Sequence, residues 1–481
     1  MVTRVRIPKS KMPKLSTHGQ NPGGSQQELE EPGRGAVSEI TECKRAAVIE
    51  TLPVSSLRPN PRNARRHGER QIAQLCASIS EFGFVLPVLI DDEGHILAGH
   101  ARHSAAIKMG LTEVPVIRVT HLTPVQKRAY ALADNRLAEL AEWDTELLQS
   151  ELAELSKALD IDVEITGFNT ADIDRILSLD YTLTDKPDPD DVLPPIDEQG
   201  AAISKRGDVW LLGVHRLICG DARDPDTYTG LLRGEKAEMV FTDPPYNVRI
   251  GGHAVGMERH REFPMASGEL SAEEFTGFLQ RAFQMMAECS TDGAIHFACM
   301  DWRHLREILT AAAAIYDAPK QLCVWVKDNG GMGSFYRSQH ELVFVFKVGE
   351  GPHINNFGLG GKGRYRTNVW QYRGANSLAP GRTEMLTMHP TVKPVAMVVD
   401  AIKDCSRRGG IVLDPFGGSG TTLIAAERSG RRARLVELDP RYVDLIIRRW
   451  QLLTGDIAKH AQTNESFDEI SRLLSDREVR P

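Results

Sequence analysis

Hydrophobic and polar positions divide the chain into three regimes. Residues 1–45, rich in Lys, Gly, Ser, Gln and Pro, carry no hydrophobic period and read as a disordered tail. Ordered pattern begins at residue 46. Apolar spacing predicts a helix over 69–82, strands at 85–91 (VLPVLID) and 114–119 (VPVIRV), and helix over 123–155. These make an α+β module with a helical extension, 46–180. The period then lapses over 181–202. The stretch 180–200 holds four prolines and a preponderance of acids over one lysine, the composition of an extended linker.

From 203 the pattern alternates. Two short strands are predicted within GDVWLLGVHRLICGD, then strands at 237–243, 294–299, 322–327, 342–347, 411–416 and 433–438. Ser271 and Glu274 form a capping box ahead of a helix bearing Phe275, Phe278, Leu279, Ala282 and Met286. Further helices are predicted over 421–429 and 440–452, and the polar residues 457–481 read as a loose helix or tail. Near-continuous apolar strands separated by helices predict an α/β domain over 203–456, its parallel sheet covered on both faces.

Composition adds constraints. A chain of 481 residues exceeds what one hydrophobic core usually supports, in keeping with two domains. The net charge of −7 excludes a protein that coats nucleic acid over its whole surface, so any such contact must be local. Seven scattered cysteines without a C-x-x-C pair argue against a disulfide framework or zinc ribbon and suit a reducing cytoplasm. No apolar run reaches transmembrane length, so no membrane association is expected, and no metal-ligand cluster is evident.

Two loops carry the candidate chemistry. In the segment 413–422 (LDPFGGSGTT) an apolar strand ends in Asp414, a glycine-rich turn follows, and a helix starts at once. Glycines let backbone approach a ligand closely, and a helix N-terminus favours an anionic group. Glu437 ends the next strand, where an acid can accept hydrogen bonds from ribose hydroxyls. The absence of a G-K-[ST] ending disfavours a triphosphate loop. The second loop is Asp243-Pro244-Pro245-Tyr246, closing the strand that begins at 237. Two prolines rigidify backbone whose carbonyls face outward, an aspartate can accept a hydrogen bond from an exocyclic amine, and a tyrosine can stack on a base.

D-P-P-Y, D-P-F-x-G-S-G-T-T and H-P-T-V-K-P (389–394), in that order, resemble the β class of S-adenosylmethionine-dependent DNA amino-methyltransferases, over about 203–455. The resemblance implies a circularly permuted, Rossmann-like, seven-stranded, mainly parallel sheet with the cofactor at the strand C-termini. It implies catalysis by Asp243, Pro244, Pro245 and Tyr246 on a flipped-out base of double-stranded DNA. Asp414, Phe416, Gly418, Gly420 and Thr421 would line S-adenosylmethionine, Glu437 would hold its ribose, Asp221 (in CGDARD) its adenine, and Lys393 would lie near its methionine carboxylate. Aspartate rather than serine at the head of D-P-P-Y points, in the family's usual pattern, to adenine N6. Cytosine N4 stays open as the acceptor, as does a DNA-binding regulatory protein with a cofactor-binding but inactive methyltransferase domain. A homodimer and a cognate restriction nuclease are further partners the resemblance leaves open.

Residues 351–383 hold five basic residues and no acid, interleaved with aromatics. This lies within the family's target-recognition region, about 351–388 here, and Lys362, Arg364, Arg366 and Arg373 are candidate DNA contacts. The loop 247–263, rich in Gly and Arg, reads as a mobile cover.

Residues 48–140 resemble the ParB/sulfiredoxin-like domain, through VSSLRPNPRNAR, SISEFGFVLPVLID, ILAGHARHSAAIKMG and VPVIRV. The superfamily's phosphate-binding G-x-x-R turn matches Gly99 to Arg102, a helix N-terminus with one guanidinium fork. His100 and Ala101 depart from the G-E-R-R-type turn of CTP-hydrolysing members, so hydrolysis, nuclease and redox activities have no support in this segment. Arg58, Arg62, Arg65 and Arg66 add a local basic stretch.

Overall fold

The computed structural model describes residues 48–158, 161–178, 188–194, 201–248, 265–328, 330, 335–361, 364–374 and 392–478. The expected tail at 1–45, most of the 247–263 cover loop, Lys362 and residues 389–391 lie outside them.

The first unit contains β1 (Ile49–Pro53), α1 (Glu69–Phe82), β2 (Val88–Ile90), β3 (Ile96–Ala98), α2 (His100–Met109), β4 (Glu113–Arg118) and α3 (Pro124–Glu139). Its mixed sheet has the order β1-β4-β2-β3 and encloses a small core of Val88, Ile90, Ile96, Ala106, Val114 and Val116. The helix expected over 123–155 is two. After α3, Asp144 accepts from the backbone N–H groups of Glu146 and Leu147 and starts α4 (Thr145–Leu155), because a short acid competes for the first orphan donors of a helix. A short helix α5 (Thr170–Leu177) packs against α4 around Leu152, Ile173 and Ile176.

Asp174 of α5 is buried and forms a bidentate pair with Arg431, at 2.9 and 2.8 Å, while Arg408 approaches it at 3.0 Å. The helical extension therefore docks on the second unit. The described part of the expected extended linker, 188–194, is docked as well: Asp188 and Asp190 pair with Arg428 at 2.7 and 3.0 Å. Its acids serve as ligands for specific arginines, which composition alone does not reveal.

The second unit comprises β5 (Val209–Leu212), β6 (His215–Cys219), α6 (Pro225–Leu232), β7 (Ala237–Thr242), α7 (Ala272–Glu288), β8 (Ser290–Met300), α8 (Leu305–Ala313), β9 (Gln321–Val326), β10 (His340–Lys347), β11 (Val369–Gln371), α9 (Val395–Cys405), β12 (Ile411–Asp414), α10 (Thr421–Ser429), β13 (Arg432–Glu437), α11 (Pro440–Thr454), β14 (Lys459–His460) and α12 (Phe467–Glu478). The sheet has ten strands, in the order β11-β9-β10-β8-β7-β12-β13-β6-β5-β14, where seven were expected. The expected set is the contiguous run from β9 to β6, with β10 antiparallel to its neighbours. The β5–β6 hairpin and β14 extend one edge and β11 the other; β14 and β11 are too short to carry a readable period.

The centre, β8-β7-β12-β13-β6, is wholly parallel. β12 and β7 are neighbours although most of the domain's chain separates them, which is the permuted order the resemblance implied. From β7 the chain proceeds to β8 on one side; from β12 it proceeds to β13 on the other. A crevice at the strand C-termini between β7 and β12 follows from that switch. Buried residues lie on both faces of the sheet, Phe241, Met239 and Leu435 toward one and Val240, Leu413 and Val436 toward the other. The C-terminal residues are more than a loose tail: Phe467, 1% exposed, packs edge-on against Trp210 with centroids 5.3 Å apart. Among the described residues no helix is long and apolar enough to cross a membrane.

Candidate active site

The C-terminal ends of five parallel strands open on one cavity of about 300 Å3, lined among others by Asp221, Asp243, Pro244, Pro245, Tyr246, Lys393, Asp414, Phe416, Gly418, Thr421 and Glu437. The two sequence loops, far apart in the chain, are thus adjacent in space.

On the glycine-loop side, Asp414 closes β12. Its Oδ1 accepts from Thr242 Oγ1 at 2.9 Å and from the Phe416 N–H at 3.1 Å, and its Oδ2 accepts from Thr422 Oγ1 at 2.6 Å. The carboxyl therefore braces the loop between β7 and α10, and burial pushes it up to about 7. Gly418 and Gly420 have φ of +51° and +84°, and a Cβ on Gly420 would stand 3.0 Å from Ile446. Only glycine relieves both constraints there. Glu437 accepts from the Gly418 N–H at 2.7 Å and the Asp439 N–H at 2.8 Å, and burial pushes its carboxyl up to about 7 against those two donors. Phe416 leans on Phe278, centroids 5.8 Å apart, giving this half of the cavity an aromatic wall.

On the D-P-P-Y side, the Asp243 carboxylate accepts from Tyr246 Oη at 2.6 Å through Oδ1 and from Lys393 Nζ at 2.7 Å through Oδ2. Burial raises the Asp243 carboxyl; Lys393 lowers it and Glu341 raises it. A second acid, Glu341 of β10, receives Lys393 Nζ at 3.1 Å, Lys327 Nζ at 2.5 Å and Tyr246 Oη at 3.3 Å. Burial works against its ionisation, but Lys393 and Lys327 hold it down to about 2. Lys393 is 4% exposed and lies 5.3 Å from the Tyr246 ring centroid. Asn247, at φ +52°, donates to Leu270 O and accepts from the Gly268 and Leu270 N–H groups, fixing the turn after Tyr246.

Several placements differ from the sequence reading. Lys393, expected near a methionine carboxylate, is ion-paired inside the Asp243–Glu341 cluster. Asp221 does line the cavity, but Arg223 grips it at 3.0 and 2.8 Å and keeps it below the usual carboxylate range, so it enters the site as half of an ion pair. Arg364 and Arg366, expected to contact DNA, are paired inside the protein instead. Arg364 reaches Asp404 at 2.8 Å and Asp400 at 3.2 Å; Arg366 reaches the same two acids at 2.9 and 3.3 Å. Those acids come from α9, so the segment without acids is neutralised by its neighbour. Arg373 is exposed. In the first unit Gly99, at φ +100°, opens α2, and Arg102 lies against it with Nη2 bonded to Pro87 O at 3.3 Å.

Sequence reasoning missed Glu341, Lys327 and Asn247. Glu341 immediately precedes an apolar strand, where an acid normally reads as a solvated end; its pairing requires the sheet order β10-β8-β7.

A DNA methylase family profile of the N6/N4 type matches residues 237–448, a ParB-methyltransferase HTH domain matches 146–206, and a ParB N-terminal domain matches 38–136. The ParB-like nuclease domain-containing protein YnaK of Escherichia coli K12 is 47% identical over 76 residues, 16% of this chain and 87% of YnaK. The DNA adenine methyltransferase YhdJ of the same organism is 25% identical over 260 residues, 48% of this chain and 80% of YhdJ. The type II methyltransferase M.ScaI of Streptomyces caespitosus is 38% identical over 87 residues, but those span only 29% of its length. Among solved structures, the M1.HpyAVI–SAM complex aligns at 18% identity and a TM-score of 0.36, over 48% of this chain and 97% of that one. The chain carries a DNA methylase domain of the N6/N4 type, preceded by a ParB N-terminal domain and a ParB-methyltransferase HTH domain.

Proposed function

We propose that the protein transfers a methyl group from S-adenosylmethionine to adenine N6 of a base flipped out of double-stranded DNA, at a specific site. The observation that carries this reading is the single cavity that joins the Gly418–Gly420 loop and Glu437 to Asp243 and Tyr246. The residues fit the cofactor: two glycines expose backbone at a helix N-terminus, a buried carboxylate suits a ribose diol, and Phe416 with Phe278 offers an apolar face to adenine. When bound, the cofactor supplies an electrophilic sulfonium methyl.

The chain's own residues do the rest. Asp243 accepts a hydrogen bond from one N–H of the exocyclic amine, and the Pro244 or Pro245 carbonyl accepts one from the other. Held this way, the nitrogen lone pair is turned out of conjugation and aimed in line. Tyr246 stacks on the base, which must leave the duplex to reach Asp243. Its hydroxyl, bonded to Asp243 in this structure, yields that acceptor position when the base arrives. Lys393 favours the ionised form of Asp243 in a cavity that penalises its charge. Arg373 contributes a backbone contact, and the Gly99–Arg102 turn of the ParB-like domain binds an anionic group. The enzyme works in the cytoplasm.

Nucleoside mass spectrometry of DNA incubated with the protein and labelled S-adenosylmethionine tests the reading. N6-methyladenine is the expected product; N4-methylcytosine would replace the acceptor, and no product with cofactor bound would overturn catalysis.

A further inference from the structure

We propose that residues 188–191 form a clasp that sets the shape of the cofactor loop, with Arg449 as its positioning residue. The inference rests on the reading of the glycine loop as the cofactor site.

Arg449 lies on α11, 4% exposed, and a buried guanidinium is costly unless its donors are used. Nη1 donates to Ser419 O at 2.9 Å and to Thr421 Oγ1 at 3.3 Å; Nη2 donates to Asp190 O at 2.6 Å. One fork thus ties the backbone between Gly418 and Gly420 to a segment more than two hundred residues earlier in the chain. Its counter-charges are Asp188, Asp190 and Asp191, which favour the cation that burial disfavours.

The same segment also grips the far end of α10, the helix that Thr421 opens. Arg428, in the last turn of α10, pairs with Asp188 and Asp190. Helix α10 is therefore held at its N-terminus through Arg449 and at its C-terminus through Arg428. Because α10 begins where the glycine loop ends, a shift of the helix shifts the loop. Asp191 adds a third hold: its Oδ1 accepts from the Val395 N–H at 2.8 Å, capping α9, whose own N-cap residue is Pro394 and cannot. That bond lies two residues from Lys393.

Binding of S-adenosylmethionine to the full-length protein, followed by calorimetry, tests the clasp in wild type, Arg449→Lys, the pair Asp188→Asn with Asp190→Asn, and the combination of all three. Arg449→Lys and the paired substitution should each weaken binding about fivefold, the net worth of one ordinary hydrogen bond. At saturating cofactor, kcat should stay within about twofold, since the reacting atoms are untouched. The combination should be no weaker than Arg449→Lys alone, because both changes release the same segment, 188–191: lysine loses the fork to the Asp190 carbonyl, and the asparagines lose the Arg428 pairs and the counter-charges. Affinities within twofold of wild type, or independent effects that multiply, would overturn the clasp. Should Arg449→Lys fail to fold, the paired substitution decides by the same criterion. If wild-type protein binds no S-adenosylmethionine, the reading of the glycine loop fails and the clasp with it; if wild type binds and the variants bind alike, the clasp alone fails.

Discussion

Lys393 Nζ stands 2.7 Å from Asp243 and 3.1 Å from Glu341, so one ammonium serves two carboxylates. Lys393 lowers the Asp243 carboxyl and Glu341 raises it. If ionised Asp243 is the acceptor, the acid limb of the rate–pH profile reports this balance. Lys393→Met should move that limb to higher pH and cut kcat about 100-fold, the usual cost of losing one preorganised charge. Glu341→Gln should move it to lower pH. Single-turnover rates across pH decide, and limbs that shift in the same direction would count against the assignment.

Glu437 is a carboxyl pushed up from 4.5 to about 7 by burial. The folded protein holds this proton more firmly than the unfolded chain does. The group's contribution to stability is therefore fullest below pH 4.5 and is lost as pH rises through about 7. A ribose diol needs the ionised form as acceptor, so cofactor binding should expel the proton. S-adenosylmethionine affinity should weaken as pH falls below about 7, approaching tenfold per unit. Calorimetry in buffers of different ionisation enthalpy should register proton release, and Glu437→Gln should abolish it.

Tyr246 presents a ring and a hydroxyl with separable roles. Tyr246→Phe removes only the bonds to Asp243 and Glu341 and should cost less than about tenfold in kcat, one modest hydrogen bond. Tyr246→Ala removes the stacking face and should weaken capture of the extruded base by about 1–3 kcal/mol. Fluorescence of 2-aminopurine at the target position separates the two, since only the alanine variant should change it strongly.

Arg366 and Arg373 sit seven residues apart in one basic segment and should behave oppositely. Arg366→Ala removes one of the two guanidinium groups on buried Asp404, leaving Arg364, and should lower the melting temperature. Arg373→Ala should leave the melting temperature unchanged and reduce the salt slope of DNA binding by about 0.9. Thermal melts and salt titrations of DNA affinity together check the pair.

The strands that place the site were legible because they are buried on both faces and read as apolar runs: β7, β12 and β13 all emerge where periodicity put them. The capping box at Ser271 and the ends of α1 were legible too, since a cap is a local interaction among neighbours in sequence. What escaped was whatever depends on two distant segments meeting. Glu341 is unremarked until β10 is set beside β8 and β7. Arg364 and Arg366 look free until α9 brings Asp400 and Asp404 against them. Lys393 is a lysine in a motif until it is seen to bridge two acids. Composition likewise misread 188–194, because it counts charges without saying which are spoken for.

The buried pair of Asp174 with Arg431 bears on how this molecule can be taken apart and recombined. A fragment beginning at residue 203 would contain every methylase motif yet deprive Arg431 and Arg408 of the carboxylate they share and of the helix that covers them. The chain's natural seam therefore lies upstream of α5. A chimera that exchanged the ParB-like module for another DNA-reading domain should inherit α4, α5 and 188–194 with the catalytic half. Between enzymes of this architecture, that is where modules can be shuffled with the catalytic half still intact.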